Sequence, residues 1–132
     1  MKSPIQVADA PGAIGPYSQA QVVRLHGNRI VYTAGQVGLD PAKGDLVPGG
    51  AAEQTAQVMK NLAAVLRGAG LTFADVVKTT VFLVDMNDFQ AMNEVYGKEF
   101  PASPPARTTV AVVGLPRGAR VEIECVAIGR EL

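Results

Sequence analysis

The stretch that decides the fold runs from Arg120 to Ile128 and reads Arg-Val-Glu-Ile-Glu-Cys-Val-Ala-Ile. Its β-branched and apolar content predicts a strand, whose side chains alternate between two faces. One face carries Val121, Ile123, Cys125 and Ala127, and the other carries Glu122, Glu124, Val126 and Ile128. The second face therefore bears two carboxylates and still has two aliphatic side chains that need cover.

A second apolar run, from Ala106 to Val113, reads Ala-Arg-Thr-Thr-Val-Ala-Val-Val. Both runs have little polar dilution, so both are expected to be largely buried strands. A guanidinium at Arg107 and a carboxylate at Glu122 would then each cost several kcal/mol unless they find partners. They form either a structural ion pair between neighbouring antiparallel strands or a site for a small charged ligand. Thr109 shares a face with Arg107, and a two-pronged cation beside a hydroxyl suits a carboxylate.

Further elements follow from periodicity and turn chemistry on the N-terminal side of these runs. They are a hairpin of Gln19–His26 and Arg29–Gly35 turning at Gly27-Asn28, a Gly- and Pro-rich loop over 38–50, a helix Ala51–Gly68, a strand Val76–Val84 and a helix Phe89–Phe100. The helix Ala51–Gly68 is amphipathic, with Thr55, Val58, Met59, Leu62 and Leu66 on one side. The order β-β-α-β-α-β-β predicts an α+β fold in one domain, residues 1–132. We expect a single mixed sheet with both helices on one of its faces.

This arrangement leaves the other sheet face open although it is partly apolar, which predicts a homo-oligomer.

The composition of the chain argues against nucleic-acid and membrane partners. Twelve basic and twelve acidic residues balance, so the electrostatic footprint of a nucleic-acid binder is missing and no nucleic-acid partner is expected. No signal-peptide core or membrane-length apolar stretch is evident, and a lone cysteine cannot form an internal disulfide. A cytoplasmic protein without a membrane partner is expected.

Several other residues have an ordinary structural interpretation that competes with a functional one. Tyr17, in the loop Gly12–Gln19, is on composition alone a core aromatic beside a proline-fixed turn. We expect His26 to lie at the surface, Cys125 to be an inert core thiol, and Asp85 and Asp88 to cap a helix. The pair Gly49-Gly50 resembles a phosphate-binding loop only weakly. One histidine and one cysteine give poor support for a metal site, and none is predicted.

The order and spacing of short motifs over nearly the whole chain resemble the Rid (YjgF) family, specifically the RidA-type reactive intermediate deaminases. The motifs are Ala13-Ile14-Gly15-Pro16-Tyr17-Ser18-Gln19, Gly35-Gln36, Val77-Lys78-Thr79-Thr80-Val81-Phe82, Asn87-Asp88-Phe89, Asn93, Pro105-Ala106-Arg107, Leu115-Pro116 and Val121-Glu122-Ile123-Glu124. The resemblance implies a chorismate mutase-like homotrimer with sites between subunits, which agrees with the open sheet face.

The resemblance also implies an activity and the residues that carry it. RidA-type members hydrolyse enamine and imine intermediates such as 2-iminobutanoate and 2-iminopropanoate to the 2-oxo acid and ammonia, without a cofactor. Here Arg107 would clamp the substrate carboxylate, Glu122 would position or activate water, and Tyr17 would line the site, completed by Ala34, Gly35 and Thr109. Some members have Ser at the position of Ala34 and Cys at that of Thr109, and these departures bear on substrate preference.

Two other functional classes remain open at this point. The chain could be a non-catalytic binder of small carboxylate metabolites that uses the same Arg107 clamp. It could also be a ribonuclease or translation inhibitor, an activity attributed to some relatives. A chaperone-like role, possible for some relatives, has no feature in this sequence that indicates it. The balanced charge argues against a primary role on RNA.

Overall fold

The computed structural model describes residues 1–131. Leu132, the last residue of the predicted domain, lies outside the described residues. The described chain forms seven strands and two α-helices, joined by loops and short 3-10 turns. They are β1 (Lys2–Ile5), β2 (Ala20–Leu25), β3 (Asn28–Thr33), β4 (Gln36–Val37), α1 (Ala51–Gly68), β5 (Val76–Leu83), α2 (Phe89–Gly97), β6 (Ala106–Ala111) and β7 (Val121–Arg130).

All seven strands belong to one mixed sheet in the order β1-β2-β3-β7-β5-β6. The strand β7 is the axis of this sheet: β3 and then β4 pair along one of its edges, and β5 pairs along the other, all antiparallel. The strand β6 pairs with β5, and it does so in parallel. The predicted fold class, a single mixed sheet with two helices, is confirmed.

The core lies between the helices and one face of this sheet. The side chains predicted for the buried side of α1 are all buried, and they are Thr55, Val58, Met59, Leu62 and Leu66. They pack against the alternate residues of β7 that the sequence assigned to one face, Val121, Ile123, Cys125 and Ala127. Met92 and Tyr96 bring α2 into the same core, so both helices cover the same face. Neither helix of the described chain is both long and apolar enough to cross a bilayer.

Several details of the predicted elements differ from the structure. The strands β1 and β4 were not predicted, because β1 contains polar residues and Pro4 and β4 has only two residues. Such segments become strands through pairing with a neighbour rather than through their own propensity. The hairpin turns at His26 (φ 52°) and Gly27 (φ 77°) instead of Gly27-Asn28. The helix α2 ends at Gly97, three residues before the predicted Phe100.

The opposite face of the sheet is open in the single chain and partly apolar. Residues that pair directly across neighbouring strands share a face, so the partners of Glu122, Val126 and Ile128 define this one. It carries Tyr32, Val110 and Ile128 with 50%, 39% and 43% of their surface exposed. Apolar side chains exposed on an open sheet face indicate an interaction surface.

The prediction that both C-terminal strands are largely buried is wrong for β6. It lies at the edge of the sheet, and each of its residues is either exposed or half-buried. By contrast, every second residue of β7 from Val121 to Ala127 is buried. The apolar content of β6 therefore does not reflect burial within one chain.

Candidate active site

A cavity of about 300 Å³ lies beside the carboxylate of Glu122, at the end of the sheet where β4 pairs with β7. Its wall comes from three loops and the two strands. The lining residues are Pro11, Gly12, Ala13, Ile14, Tyr17, Gln19, Gly35, Gln36, Val37, Leu39, Pro41, Gly44, Pro116, Arg117 and Glu122. Three of the predicted site residues, Tyr17, Gly35 and Glu122, therefore meet in one cavity. Most of the remaining wall is apolar.

The N-terminal loop of this cavity is fixed by the buried amide of Gln19. Its Oε1 accepts a hydrogen bond from the Val7 backbone N–H at 2.7 Å. Its Nε2 donates to the carbonyl oxygens of Val7 at 3.1 Å and Pro11 at 2.9 Å. A buried amide that satisfies several backbone groups of one loop holds that loop in a single conformation. The segment that carries Tyr17 is therefore pinned at both of its ends.

The other side of the cavity is fastened to α1. Asn61 is fully buried, and its Nδ2 donates to the backbone oxygens of Val37 at 3.2 Å and Leu39 at 3.0 Å. Gly38 lies so close to α1 that a Cβ there would be 2.9 Å from the Gln54 carbonyl oxygen. These contacts hold β4 and the start of the following loop against the helix.

The Glu122 side chain rests directly on the backbone of Gly35. A Cβ on residue 35 would lie 2.8 Å from Glu122 Cδ and 3.0 Å from its Cγ, closer than real Cβ atoms come to other atoms. Burial raises the pKa of Glu122 above its ordinary value of 4.5, and the nearby charge of Glu124 raises it further. A carboxyl group with a raised pKa in a cavity is a candidate for proton transfer.

Tyr17 lines the cavity from a partly exposed position, whereas Ala34 only adjoins it. Tyr17 is half-exposed, and its ring lies against Gly15, whose carbonyl accepts from the Tyr17 N–H at 2.8 Å. This position contradicts the alternative in which Tyr17 is a core aromatic. Ala34 is not among the lining residues, but its N–H donates to the Gln19 carbonyl at 2.9 Å. This bond fixes the backbone immediately before Gly35.

Arg107 lies elsewhere, in a shallow depression between β6 and α2. Its Nη1 donates to Asn93 Oδ1 at 2.7 Å. Its Cζ lies 4.8 Å from the ring centroid of Tyr96 and 5.4 Å from that of Phe89, within the range of cation–π attraction. Within residues 1–131 the guanidinium has no ion-pair partner. Its orientation is thus fixed while most of its donors remain available.

The interpretation of Arg107 and Glu122 as a structural ion pair is wrong. The strand β5 separates β6 from β7, so the two residues are not on neighbouring strands. Arg107 pairs with Thr79 on the helix-covered face, whereas Glu122 pairs with Phe82 on the open face. Three residues along the strands and two strand spacings separate their Cα atoms by roughly 14 Å. One chain cannot bring them together.

Thr109 shares the face of Arg107, as predicted, because Thr79 pairs with Arg107 and Val81 with Thr109. The six predicted site residues therefore fall into two sets, which we call half-sites. The carboxyl half-site consists of Tyr17, Gly35, Glu122 and the adjoining Ala34. The guanidinium half-site consists of Arg107, Thr109 and their support.

Three residues that line or support these half-sites were not among the predicted site residues, and they are Tyr96, Phe89 and Arg117. The predicted helix Phe89–Phe100 contained Phe89 and Tyr96 without a role in the site; in the structure the Tyr96 hydroxyl is buried 2.7 Å from Thr79 Oγ1. Arg117 lines the cavity from a turn that periodicity does not describe. Two features of the sequence could have indicated these residues. One is the polar Asn93, which lies one helical turn from both Phe89 and Tyr96, and the other is the cation that follows Pro116.

The remaining candidates from the sequence have structural roles. Burial raises the pKa of the Cys125 thiol to about 11, which agrees with an inert core cysteine. Asp85 caps the 3-10 turn before α2 by accepting from the Asn87 N–H at 2.9 Å, as predicted. Asp88 does not cap; it forms a two-pronged ion pair with Arg120, with its closest contact at 2.8 Å. Residues 1–131 contain no group of three or more His, Cys, Asp or Glu side chains arranged to hold a metal ion.

Comparison with known proteins identifies the family of this chain. The sequence model of the family described as Endoribonuclease L-PSP matches residues 7–129. The chain belongs to this family. It is 52% identical to the human 2-iminobutanoate/2-iminopropanoate deaminase over 124 aligned residues, and the alignment covers 94% of this chain and 88% of the human protein.

Solved structures extend this membership to the Rid family that the sequence motifs resemble. YyfA of Yersinia pestis, whose structure is described as that of a conserved Rid-family protein, is 46% identical with a TM-score of 0.88, covering 96% of this chain and 98% of that one. TdcF of E. coli, crystallised with bound serine, is 38% identical with a TM-score of 0.87 over 96% of this chain and 98% of that one. The resemblance to the Rid family is confirmed.

Proposed function

We propose that this protein is a 2-iminobutanoate/2-iminopropanoate deaminase whose active sites lie between the subunits of a homotrimer. The observation that carries the proposal is the division of the site into two half-sites on opposite faces of the sheet. Each half-site holds its charged group in a fixed position, but neither can both bind and hydrolyse an imino acid alone. One presents a carboxyl group in a cavity, and the other presents a guanidinium with donors available to a ligand. Relatives about half identical over 94% of the chain carry the name of this deaminase, which supports the choice of reaction.

Assembly can join the half-sites because both adjoin surface that one chain leaves uncovered. The carboxyl half-site opens from the face that carries Tyr32 and Ile128, and Arg107 lies on the exposed edge strand β6. A cyclic oligomer uses two different patches of each subunit, one against each neighbour. We infer that β6 of one subunit approaches the cavity of the next, so that a trimer contains three equivalent sites.

The guanidinium half-site provides the recognition of substrate. A 2-imino acid carries a carboxylate next to the imine carbon, and a guanidinium binds a carboxylate through two parallel N–H···O bonds. The rings of Tyr96 and Phe89 and the bond to Asn93 hold Arg107 in one orientation before substrate arrives. Binding to a fixed cation leaves the imine carbon at a defined distance from the neighbouring cavity.

The carboxyl half-site provides the proton transfer. Water adds to the carbon of the protonated imine while Glu122 accepts a proton from that water. Glu122 then returns this proton to the nitrogen of the carbinolamine, the C–N bond breaks to release ammonia, and loss of the hydroxyl proton to the carboxylate or to solvent leaves the 2-oxo acid. The raised pKa of Glu122 brings it closer to neutrality, where a carboxylate is a more effective base. Tyr17 lines the entrance. The reaction transfers protons and involves no oxidation or reduction, so the proposal requires no cofactor.

The same geometry would serve a protein that only binds small carboxylates, and TdcF with its bound serine is an instance of such binding in a relative. The positioned Glu122 favours catalysis, because binding a carboxylate gains nothing from a second carboxyl group beside it. The lone, buried Cys125 is compatible with a reducing compartment, and we propose a cytoplasmic location.

A coupled assay tests the proposed function. A threonine dehydratase releases 2-iminobutanoate, and the appearance of 2-oxobutanoate is followed with and without this protein. We expect the protein to accelerate this step and Glu122→Gln to abolish most of the acceleration. Equal acceleration by wild type and Glu122→Gln would contradict a catalytic role for the cavity. RNA incubated with the same preparations should remain intact, and cleavage that disappears in Glu122→Gln would favour the ribonuclease alternative.

A further inference from the structure

The cavity of the carboxyl half-site contains a second charged group that the proposed reaction does not use. Arg117 lines it together with Glu122. Within residues 1–131 no ion pair joins these two side chains, so they occupy separate positions on the wall. A ligand held at the Glu122 carboxyl would thus have a guanidinium elsewhere in the same cavity.

The backbone of Arg117 is held in an uncommon conformation. Its φ is 62° and its ψ is 17°, in the left-handed region that residues with side chains rarely adopt. The turn is anchored on its far side by Ala119, which is 1% exposed and donates its N–H to the Pro116 carbonyl at 3.1 Å. Residues held in such conformations by their surroundings are concentrated at ligand sites. Glycine would fit this position without strain, yet an arginine occupies it.

The charge of Arg117 is only weakly used within the chain. Its ion pair is with Asp45, at 3.6 Å, with 44% of the Arg117 side chain and 77% of the Asp45 side chain exposed. Long, exposed ion pairs contribute little to stability. An anionic ligand that enters the cavity can therefore displace Asp45 from Arg117 at small cost.

The cavity also has room beyond what the smallest 2-imino acids need. Its 300 Å³ is at the lower end of pockets that hold much larger ligands, whereas 2-iminobutanoate extends only a methyl group beyond its β-carbon. Leu39, Pro41 and Pro116 supply apolar wall. This lining suits one or two methylene groups that lead to the guanidinium.

We propose that Arg117 makes this site selective for 2-imino dicarboxylates of four or five carbons. The inference rests on the proposed function. Arg107 of a neighbouring copy binds the carboxylate next to the imine, and Arg117 binds the carboxylate at the far end. The chemistry is unchanged: water forms the C–O bond at the imine carbon, the C–N bond breaks, and ammonia leaves. A reaction that oxidises an acidic amino acid at its α-carbon must supply such a substrate.

The test compares substrates that differ only in the far carboxylate. An amino-acid oxidase acting on L-aspartate or L-glutamate, with catalase present, generates 2-iminosuccinate or 2-iminoglutarate, and threonine dehydratase generates 2-iminobutanoate. Hydrolysis by this protein is measured as the loss of imine that semicarbazide can trap. The variants are Arg117→Gly, which suits the positive φ, and Arg117→Lys, with Arg67→Ala as the matched control on the exposed side of α1.

We expect Arg117→Gly to lose about tenfold or more on the dicarboxylates and to stay within about twofold of wild type on 2-iminobutanoate, because only the former lose a charged hydrogen-bond partner. Arg117→Lys should recover part of the loss, and Arg67→Ala should match wild type. Loss of activity on all three imines in proportion, or no loss on the dicarboxylates, would overturn the inference while leaving the deaminase proposal intact. Failure of the wild type to hydrolyse any imine would refute both.

Discussion

Replacing Gly35 by alanine tests whether the exact position of the Glu122 carboxyl matters. The new Cβ would lie 2.8 Å from Glu122 Cδ, whereas ordinary contact begins at 3.4 Å, so the carboxyl carbon must move by about 0.6 Å. The obstacle is the end of a flexible side chain, which can move at little cost. Gly35 does not have a positive φ, so alanine is compatible with its backbone.

We therefore expect Gly35→Ala to have a small effect on stability and a large effect on activity. Alanine reduces the conformational entropy of the unfolded chain, which offsets the strain of moving Glu122, so we expect the free energy of unfolding to change by less than about 1 kcal/mol. Displacing a catalytic group by a substantial fraction of an ångström costs about tenfold to a hundredfold in rate. We expect Gly35→Ala to keep its melting temperature and to lose that much activity in the coupled 2-iminobutanoate assay.

Gly114→Ala is the matched control, because a Cβ there would meet no atom within 4 Å. It should leave both activity and melting temperature unchanged. Full activity in Gly35→Ala would refute the reasoning, since it would mean that the carboxyl position seen here is not the catalytic one. A loss of several kcal/mol in stability would instead assign Gly35 a structural role.

Three further predictions concern charge and assembly. Arg107→Lys should lose most activity and its thermal stabilisation by 2-oxobutanoate, while its melting temperature without ligand changes little, because no ion pair depends on it within residues 1–131; ligand stabilisation equal to that of wild type would contradict the clamp. The activity of the wild type should fall as the pH decreases through the pKa of Glu122, which burial and Glu124 raise above 4.5, because protonation removes the base; Glu124→Gln should move this fall to lower pH. A pH–rate profile that Glu124→Gln leaves unchanged would argue against this assignment. Light scattering should give three subunits at micromolar concentration, and a stable monomer would exclude a shared site.

The parts of the fold that local pattern determines were predictable from the sequence. The predicted bounds of α1 are those of the structure, because its apolar period and flanking glycines agree with its tertiary role. The two faces of β7 were also correct, since alternation is a local property. Strand order is not local. Nothing in Ala106–Val113 indicates that it pairs in parallel with β5 rather than with β7, which is why the ion-pair interpretation failed.

The site was predictable only in part, for a related reason. Glu122 and Arg107 attract notice as charges in apolar strands, but Tyr17 and Gly35 came from the family resemblance. Their meeting with Glu122 depends on loops that the buried amides of Gln19 and Asn61 hold in place, and such tertiary bonds leave no periodic signal. The family resemblance supplied the expectation that two chains share a site, and the opposite faces of Arg107 and Glu122 give it a physical reason.

Subunit complementation tests the shared site most directly. Arg107→Ala and Glu122→Gln, each inactive alone, are unfolded, mixed in equal amounts and refolded together. In a mixed trimer a site is intact when its Arg107 comes from a Glu122→Gln chain and its Glu122 from an Arg107→Ala chain, which occurs at about one quarter of the sites if subunits assort at random in a cyclic oligomer. We predict recovery of about a quarter of the wild-type activity in the coupled assay. If mixed trimers form and stay inactive, both residues act within one chain and the account is contradicted.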